Sequence, residues 1–121
     1  MINTVVINDN VNSLKKLKSM ISQKEELKLI ADYKNPIRCL DQLEKNKKEL
    51  NLIILDTNIM GYSGLEVAKN IHGLDKKIKI IFIASNQDYA VEAFELNAFD
   101  YLVWPVEEKR FTETIARLAK H

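Results

Sequence analysis

The sequence predicts an α/β domain in which five strand–helix units form one parallel sheet with helices on both sides. Three observations carry that prediction. Short runs rich in β-branched residues alternate five times with segments of helical spacing. Two of those runs, at 52–55 and 80–83, are apolar on both faces, as central strands of a parallel sheet are. Finally, 121 residues, 46% of them hydrophobic and 29% charged, match a single domain with a buried core.

Each element has its own signal. The run at 4–7 is the first strand, and Val11, Leu14, Leu17 and Ile21 then mark one stripe of a helix. A second strand is expected at 29–31. Asn35-Pro36 opens the second helix, with a cap residue followed by proline where a missing N–H costs nothing. The third strand is 52–55. Ser63-Gly-Leu-Glu66 fits a capping box for the third helix, whose stripe is Leu65, Ala68 and Ile71. Gly73 is expected to stop that helix. The fourth strand is 78–83, and Ser85-Asn-Gln-Asp88 predicts a capping box for a fourth helix ending at Asn97. A short fifth strand at 101–103 precedes a last helix with its stripe at Phe111, Ile115 and Leu118. The whole chain, 1–121, reads as one domain.

Composition excludes several functions. The 18 basic and 17 acidic residues leave a formal charge of +1, so bulk electrostatics favour neither nucleic acid nor a membrane surface. The single cysteine, Cys39, rules out a disulfide framework and is expected to be a structural thiol. No apolar run approaches the roughly 20 residues of a membrane span, and the start is unlike a signal peptide, so the expected location is cytoplasmic.

Ligands of an open α/β sheet bind beyond the carboxyl ends of its strands. Asp9 follows the first strand and Asp56 the third. An aspartate at such a place is also a common turn former, and by themselves these two leave both readings open.

Longer stretches carry a resemblance. The segment 52–66, with Asp56 ending a strand and Gly61 and Gly64 in the loop after it, resembles the phosphoacceptor segment of response regulator receiver domains. Residues 89–105, through Asp100-Tyr101-Leu-Val-Trp104-Pro105, resemble the family's fourth helix and fifth strand, most closely in receivers that precede LytTR-type DNA-binding domains. Val5-Val-Ile-Asn8-Asp9 stands at the family's acidic pair. The resemblance covers essentially the whole chain. It implies a flavodoxin-like (βα)5 receiver fold with strand order 2-1-3-4-5, which would place Asp9 and Asp56 side by side. It further implies that Asp56 accepts a phosphoryl group from a histidine kinase, with a magnesium ion held by Asp9, Asp56 and the main-chain carbonyl of Asn58. Output would be regulated through a face made of the fourth helix, fifth strand and fifth helix, which binds an output domain or a second copy. Tyr101 and Pro105 stand at the family's switch and loop positions, and the bond before Pro105 is expected to be cis.

Four positions depart from the family. Asn8 replaces an acid, so magnesium binding is expected to be weak. Ala84 stands where a switch Thr or Ser would close the fourth strand, and Ser85 points to the opposite face. Trp104 replaces the lysine that pairs with phosphoryl oxygens, and an indole offers one neutral N–H only. Met60 stands where a loop proline would sit. Losing one positioned donor at a developing charge costs on the order of 3–4 kcal/mol. The alternative to a phosphoacceptor is therefore a pseudo-receiver, a protein-binding or dimerisation module independent of phosphate. With Trp104 at the pocket rim, its ring is expected to cover apolar surface and hinder a phosphodonor. An enzyme is not expected: a hydrolase using Asp56 would need a second acid two residues on, and that place is Asn58.

Other features are assigned to the surface. From Ile80 to Glu108 there is no Lys or Arg, while Asp88, Glu92, Glu95, Asp100, Glu107 and Glu108 carry negative charge. The stretch is either a solvated acidic face or, as the resemblance implies, a partner surface, and both argue against direct nucleic-acid contact. His72 is expected at a solvated helix end, the run 45–49 as a solvated turn, and Lys15, Lys16 and Lys18 on the polar side of the first helix.

Overall fold

The computed structural model describes residues 1–45 and 49–120. The strands are β1 (Ile2–Ile7), β2 (Leu27–Tyr33), β3 (Leu52–Asp56), β4 (Lys79–Ala84) and β5 (Asp100–Val103). All pairings among them are parallel, in the order β2-β1-β3-β4-β5. The helices are α1 (Val11–Ser22), α2 (Pro36–Lys45), α3 (Gly64–Leu74), α4 (Ala90–Glu95) and α5 (Glu108–Ala119). A separate two-residue hairpin pairs Asn58–Ile59 with Tyr62–Ser63.

Strand alternation sorts the core into two layers. Val5, Ile7, Ile53, Leu55, Ile80, Phe82 and Tyr101 face one way and pack with Cys39, Val67, Ile71 and Ala93 of α2, α3 and α4. Val6, Leu52, Ile54, Ile81, Ile83 and Leu102 face the other, against Leu14, Leu17 and Ile21 of α1 and Phe111, Ile115 and Leu118 of α5. The strands β1, β3, β4 and β5 are therefore buried on both faces over their central residues, which is why the runs at 52–55 and 80–83 show no alternation of character. The edge strand β2 alternates instead, with Lys28, Ile30 and Asp32 exposed.

Some boundaries differ from expectation. Val11 opens α1 but is half exposed, and Met20 joins the buried stripe instead. The cap at Asn35 forms, its Oδ1 accepting from the N–H of Ile37 at 2.9 Å. Ser63 caps α3 by accepting from the N–H of Glu66 at 3.4 Å. Gly73 does not stop α3. It is the penultimate helical residue, and the N–H of Asp75 closes the end on the carbonyl of Ile71. The box at 85–88 does not start α4, which begins at Ala90; Asn86 instead makes a local turn, accepting from the N–H of Asp88 at 2.9 Å. Asn97 does adopt the left-handed conformation (φ 65) that follows α4. His72 is half-buried, with Nε2 3.1 Å from the carbonyl of Ile78. Cys39 is 1% exposed, and burial pushes its thiol up to about 12, consistent with a structural role. Part of the run 45–49, at 46–48, lies outside the described residues, as does His121. Among the described residues no helix is long and apolar enough to cross a membrane.

Candidate functional site

Parallel pairing of β1 with β3 sets Ile7 beside Leu55, so the residues that leave the two strands meet. Asn8, 1% exposed, extends its amide Nδ2 to Oδ2 of Asp56 at 3.3 Å. The orientation of that amide follows from its other end: Asn8 Oδ1 accepts the N–H of Asn10 at 2.8 Å, which only an oxygen can do. Asp9, exposed, reaches across to the loop after β3, and its Oδ2 accepts the N–H of Met60 at 2.7 Å. Asp56 Oδ1 accepts the N–H of Asn58 at 2.9 Å.

The loop that brings Met60 to Asp9 is a tight hairpin. Met60 (φ 54) and Gly61 (φ 83) are its two central residues, both at positive φ, which is the geometry of a type I′ turn. A proline, with φ fixed near −65°, cannot occupy the Met60 place in that turn. Behind the hairpin, α3 starts hard against Asp56. A Cβ on Gly64 would lie 2.1 Å from the Asp56 carbonyl oxygen and 2.8 Å from the Thr57 Cα.

Burial raises the pKa of Asp56, the negative charge of Asp9 raises it further, and the N–H groups of Asn58 and Thr57 pull it back in part. Two carboxylates near enough for one to raise the other's pKa are electrostatically suited to a cation. Two carboxylates, a main-chain carbonyl at Asn58 and water fit the oxygen-rich needs of Mg²⁺, though with one negative charge fewer than an acid at Asn8 would supply. Among the described residues no group of three or more His, Cys, Asp or Glu side chains forms a richer metal site.

The remaining expected positions divide. Ala84 ends β4, buried, and its carbonyl accepts the N–H of Trp104 at 2.8 Å. Tyr101 is 6% exposed and turned inward, its hydroxyl donating to the carbonyl of Asn86 at 2.8 Å, within electrostatic reach of Asp56. The Trp104–Pro105 bond is cis. The Trp104 ring, however, packs with Phe99 and Val106 on the α1/α5 layer. There it lines a groove with Lys16, Ser19 and Met20 of α1. Apolar surface draws the ring to that side of the sheet, so the apolar cover expected over the pocket rim lies instead against α1.

Sequence reasoning missed one cluster and misplaced its centre. Asp100 is not part of an acidic surface: it is 3% exposed. Arg110 binds it with two nitrogens at 2.6 and 2.8 Å, Arg117 at 2.6 Å, the Thr114 hydroxyl at 2.6 Å and the Tyr101 N–H at 2.8 Å. Desolvation raises its pKa, but the hydrogen bonds and charge of Arg110 outweigh this and leave it below the usual carboxylate range. Arg117 also lies over the Phe99 ring at 5.1 Å. The signal was present in α5, where Arg110, Thr114 and Arg117 fall at i, i+4 and i+7. The exposed acids of this region are thus Asp88, Glu92, Glu95, Glu107 and Glu108. Glu108 lies 3.5 Å from Lys24. Tyr89, Val91 and Phe94 stand exposed beside the α4 acids.

Comparison with known proteins matches this arrangement. The family model described as response regulator receiver domain matches residues 4–116. An uncharacterized response regulatory protein of Shewanella oneidensis is 30% identical over 120 residues, 99% of this chain and 50% of that protein. Transcriptional regulatory protein YpdB of Escherichia coli K12 is 31% identical over 114 residues, 94% of this chain and 46% of that protein. Sensory transduction protein LytT of Bacillus anthracis is 27% identical over 120 residues, 99% and 48%. The chain spans about half the length of the curated relatives it matches. Among solved structures, the response regulatory domain of protein mrkE from Klebsiella pneumoniae superposes with a TM-score of 0.89 at 28% identity, covering 98% of this chain and 96% of that one. With the sheet order, the acids at adjacent strand ends and the family match over residues 4–116, this chain belongs to the response regulator receiver domain family.

Proposed function

We propose that this receiver is a cytoplasmic regulatory module of a two-component system, with Asp56 as its phosphoacceptor. Its state is read through α4, β5 and α5 by an output domain or a second copy. The observation that carries the reading is the carboxylate of Asp56 at the end of β3, beside the end of β1 that leads into Asp9, where it accepts the Asn8 amide at 3.3 Å and the Asn58 N–H at 2.9 Å. A carboxylate there attacks the phosphorus of a kinase phosphohistidine; the O–P bond forms, the P–N bond breaks and the imidazole leaves. Asp9, Asp56 and the Asn58 carbonyl would hold Mg²⁺, which when bound neutralises the gathering negative charge. Asn8 contributes no charge, so the ion is held weakly, and Trp104 supplies no ammonium for the phosphoryl oxygens. Relatives named as transcriptional regulatory and sensory transduction proteins support an output in gene regulation. The module is regulatory, and nucleic acid is left to whatever output it controls.

Incubation with acetyl phosphate and Mg²⁺ followed by intact mass tests this reading. One phosphoryl group is expected on the parent and none on Asp56→Asn; an unmodified parent overturns it.

One observation favours a second reading, protein binding without phosphate. Tyr101 is already inward and hydrogen-bonded to Asn86, with a methyl at Ala84 in place of a hydroxyl that phosphate could draw. On this reading the α4–β5–α5 face binds its partner equally well in the parent and in Asp56→Asn, and phosphodonor changes nothing. A several-fold, donor-dependent gain in partner binding or dimerisation by the parent restores the phospho-switch.

A further inference from the structure

We propose that Asn8 and Met60 are positioning residues that hold the two acids in place of a cation, each with an N–H donor that competes with a cation for the carboxylate. This rests on the reading of Asp9 and Asp56 as the cation site. Each carboxylate of the pair has one oxygen occupied by a donor from another segment: Asp56 Oδ2 by the Asn8 amide at 3.3 Å, Asp9 Oδ2 by the Met60 N–H at 2.7 Å.

Both donors depend on residue identity. An aspartate at 8 has no N–H2 to offer, and Asn8 cannot turn its oxygen to the gap without abandoning the Asn10 N–H that it binds at 2.8 Å. A proline at 60 has no N–H at all, and the positive φ that aims the Met60 N–H at Asp9 is closed to it. The two amides present the positive ends of their dipoles to the carboxylates, where a divalent ion would place its charge. Each donor takes up part of the acceptor capacity and negative charge that an ion would use, so donor and ion compete for the carboxylates. The Met60 contact has a second consequence. It ties the hairpin of Asn58–Ile59 and Tyr62–Ser63 to the end of β1, so binding of an ion at Asp9 is coupled to release of that hairpin.

The test is a titration of the 121-residue chain with Mg²⁺ alone, followed by calorimetry and by amide NMR. In the parent, the Met60 N–H and the Asn8 side-chain amide resonances are expected to shift together along one binding curve. Asn8→Ala removes a donor without adding charge, and Met60→Pro removes the other. Each is expected to tighten Mg²⁺ about 3- to 10-fold, the change in affinity that one hydrogen bond no longer competing with the ion corresponds to. Gly73→Ala, late in α3 and outside the site, should bind as the parent does. Affinity that is unchanged or weaker in both donor-deleted variants, or Mg²⁺ binding that leaves the two parent amide resonances unmoved, overturns the proposal. If Met60→Pro does not fold, Asn8→Ala and the parent resonances decide. Absence of binding in the parent and every variant at tens of millimolar Mg²⁺ instead overturns the cation-site reading, while phosphoacceptance by Asp56 remains separately readable by mass.

Discussion

Gly64→Ala is expected to destabilise the domain by at least about 3 kcal/mol, the upper range for overpacking against atoms that cannot move aside. The added methyl would sit 2.1 Å from the Asp56 carbonyl oxygen and 2.8 Å from the Thr57 Cα. Both are backbone, so no side chain can swing away. Either α3 slides off the end of β3 or the Asp56 main chain shifts. The second outcome moves the carboxylate away from Asn8 and breaks the close approach that defines the site. The N–H of Gly64, which donates to the Thr57 carbonyl at 2.8 Å, is strained in either case. Gly73 supplies the control. It lies inside α3 with no heavy atom near its missing Cβ. Gly73→Ala should stabilise the domain by about 0.5–1 kcal/mol, because alanine loses less conformational freedom in a helix. Urea midpoints of the two variants measure both signs; a neutral Gly64→Ala would mean the α3 start yields freely.

Asp100→Asn is expected to cost about 2–3 kcal/mol. Breaking a buried ion pair by removing one partner typically costs about 3–5 kcal/mol. A smaller cost than that range applies here because the side chains of Arg110 and Arg117 are 45% and 55% exposed and can return to water. What remains is the loss of charge-assisted hydrogen bonds from two guanidiniums and the buried Thr114 hydroxyl. The pH dependence has a definite sign. Asp100 titrates below its unfolded value, so its contribution is complete above about pH 4 and is lost as pH falls through the lower folded value. Asp56 behaves oppposite in sign: its folded pKa is raised, so it favours the fold below the unfolded value and loses that contribution as pH rises through the folded one. Asp56→Asn should therefore raise the melting temperature at neutral pH, with the gain vanishing near pH 3. Thermal melts of both variants at the two pH values check this. Equal effects of Asp100→Asn at both would show that its charge is not what the arginines hold.

The sequence by itself determined the order and type of every main element, because those signals are local. Strand runs apolar on both faces, the stripe of α5 and the caps at Asn35 and Ser63 are written in residue types a few positions apart. It also singled out Asp9 and Asp56, since an acid directly after a buried strand has a place in an open α/β sheet before any coordinate is known. Where local signals competed, they misled. Ser85 and Asp88 satisfy a capping pattern, yet the chain there is tied down from a distance by the Tyr101 hydroxyl on the Asn86 carbonyl, and α4 starts only at Ala90.

Only the tertiary structure decided which groups meet. The donor on Asp9 is a main-chain N–H from 51 residues away, and a main-chain N–H has no residue-type signature. Asp100 reads as one more acid in a stretch without cations until β5 pairs with β4 and α5 folds back to set Arg110, Thr114 and Arg117 around it. Trp104 carries no sign of which face its ring will choose; the apolar layer of α1 and α5 decides that by the surface it offers. Periodicity records which side of an element is buried, whereas partners and their geometry depend on how separate elements dock, and that is set by packing over the whole chain.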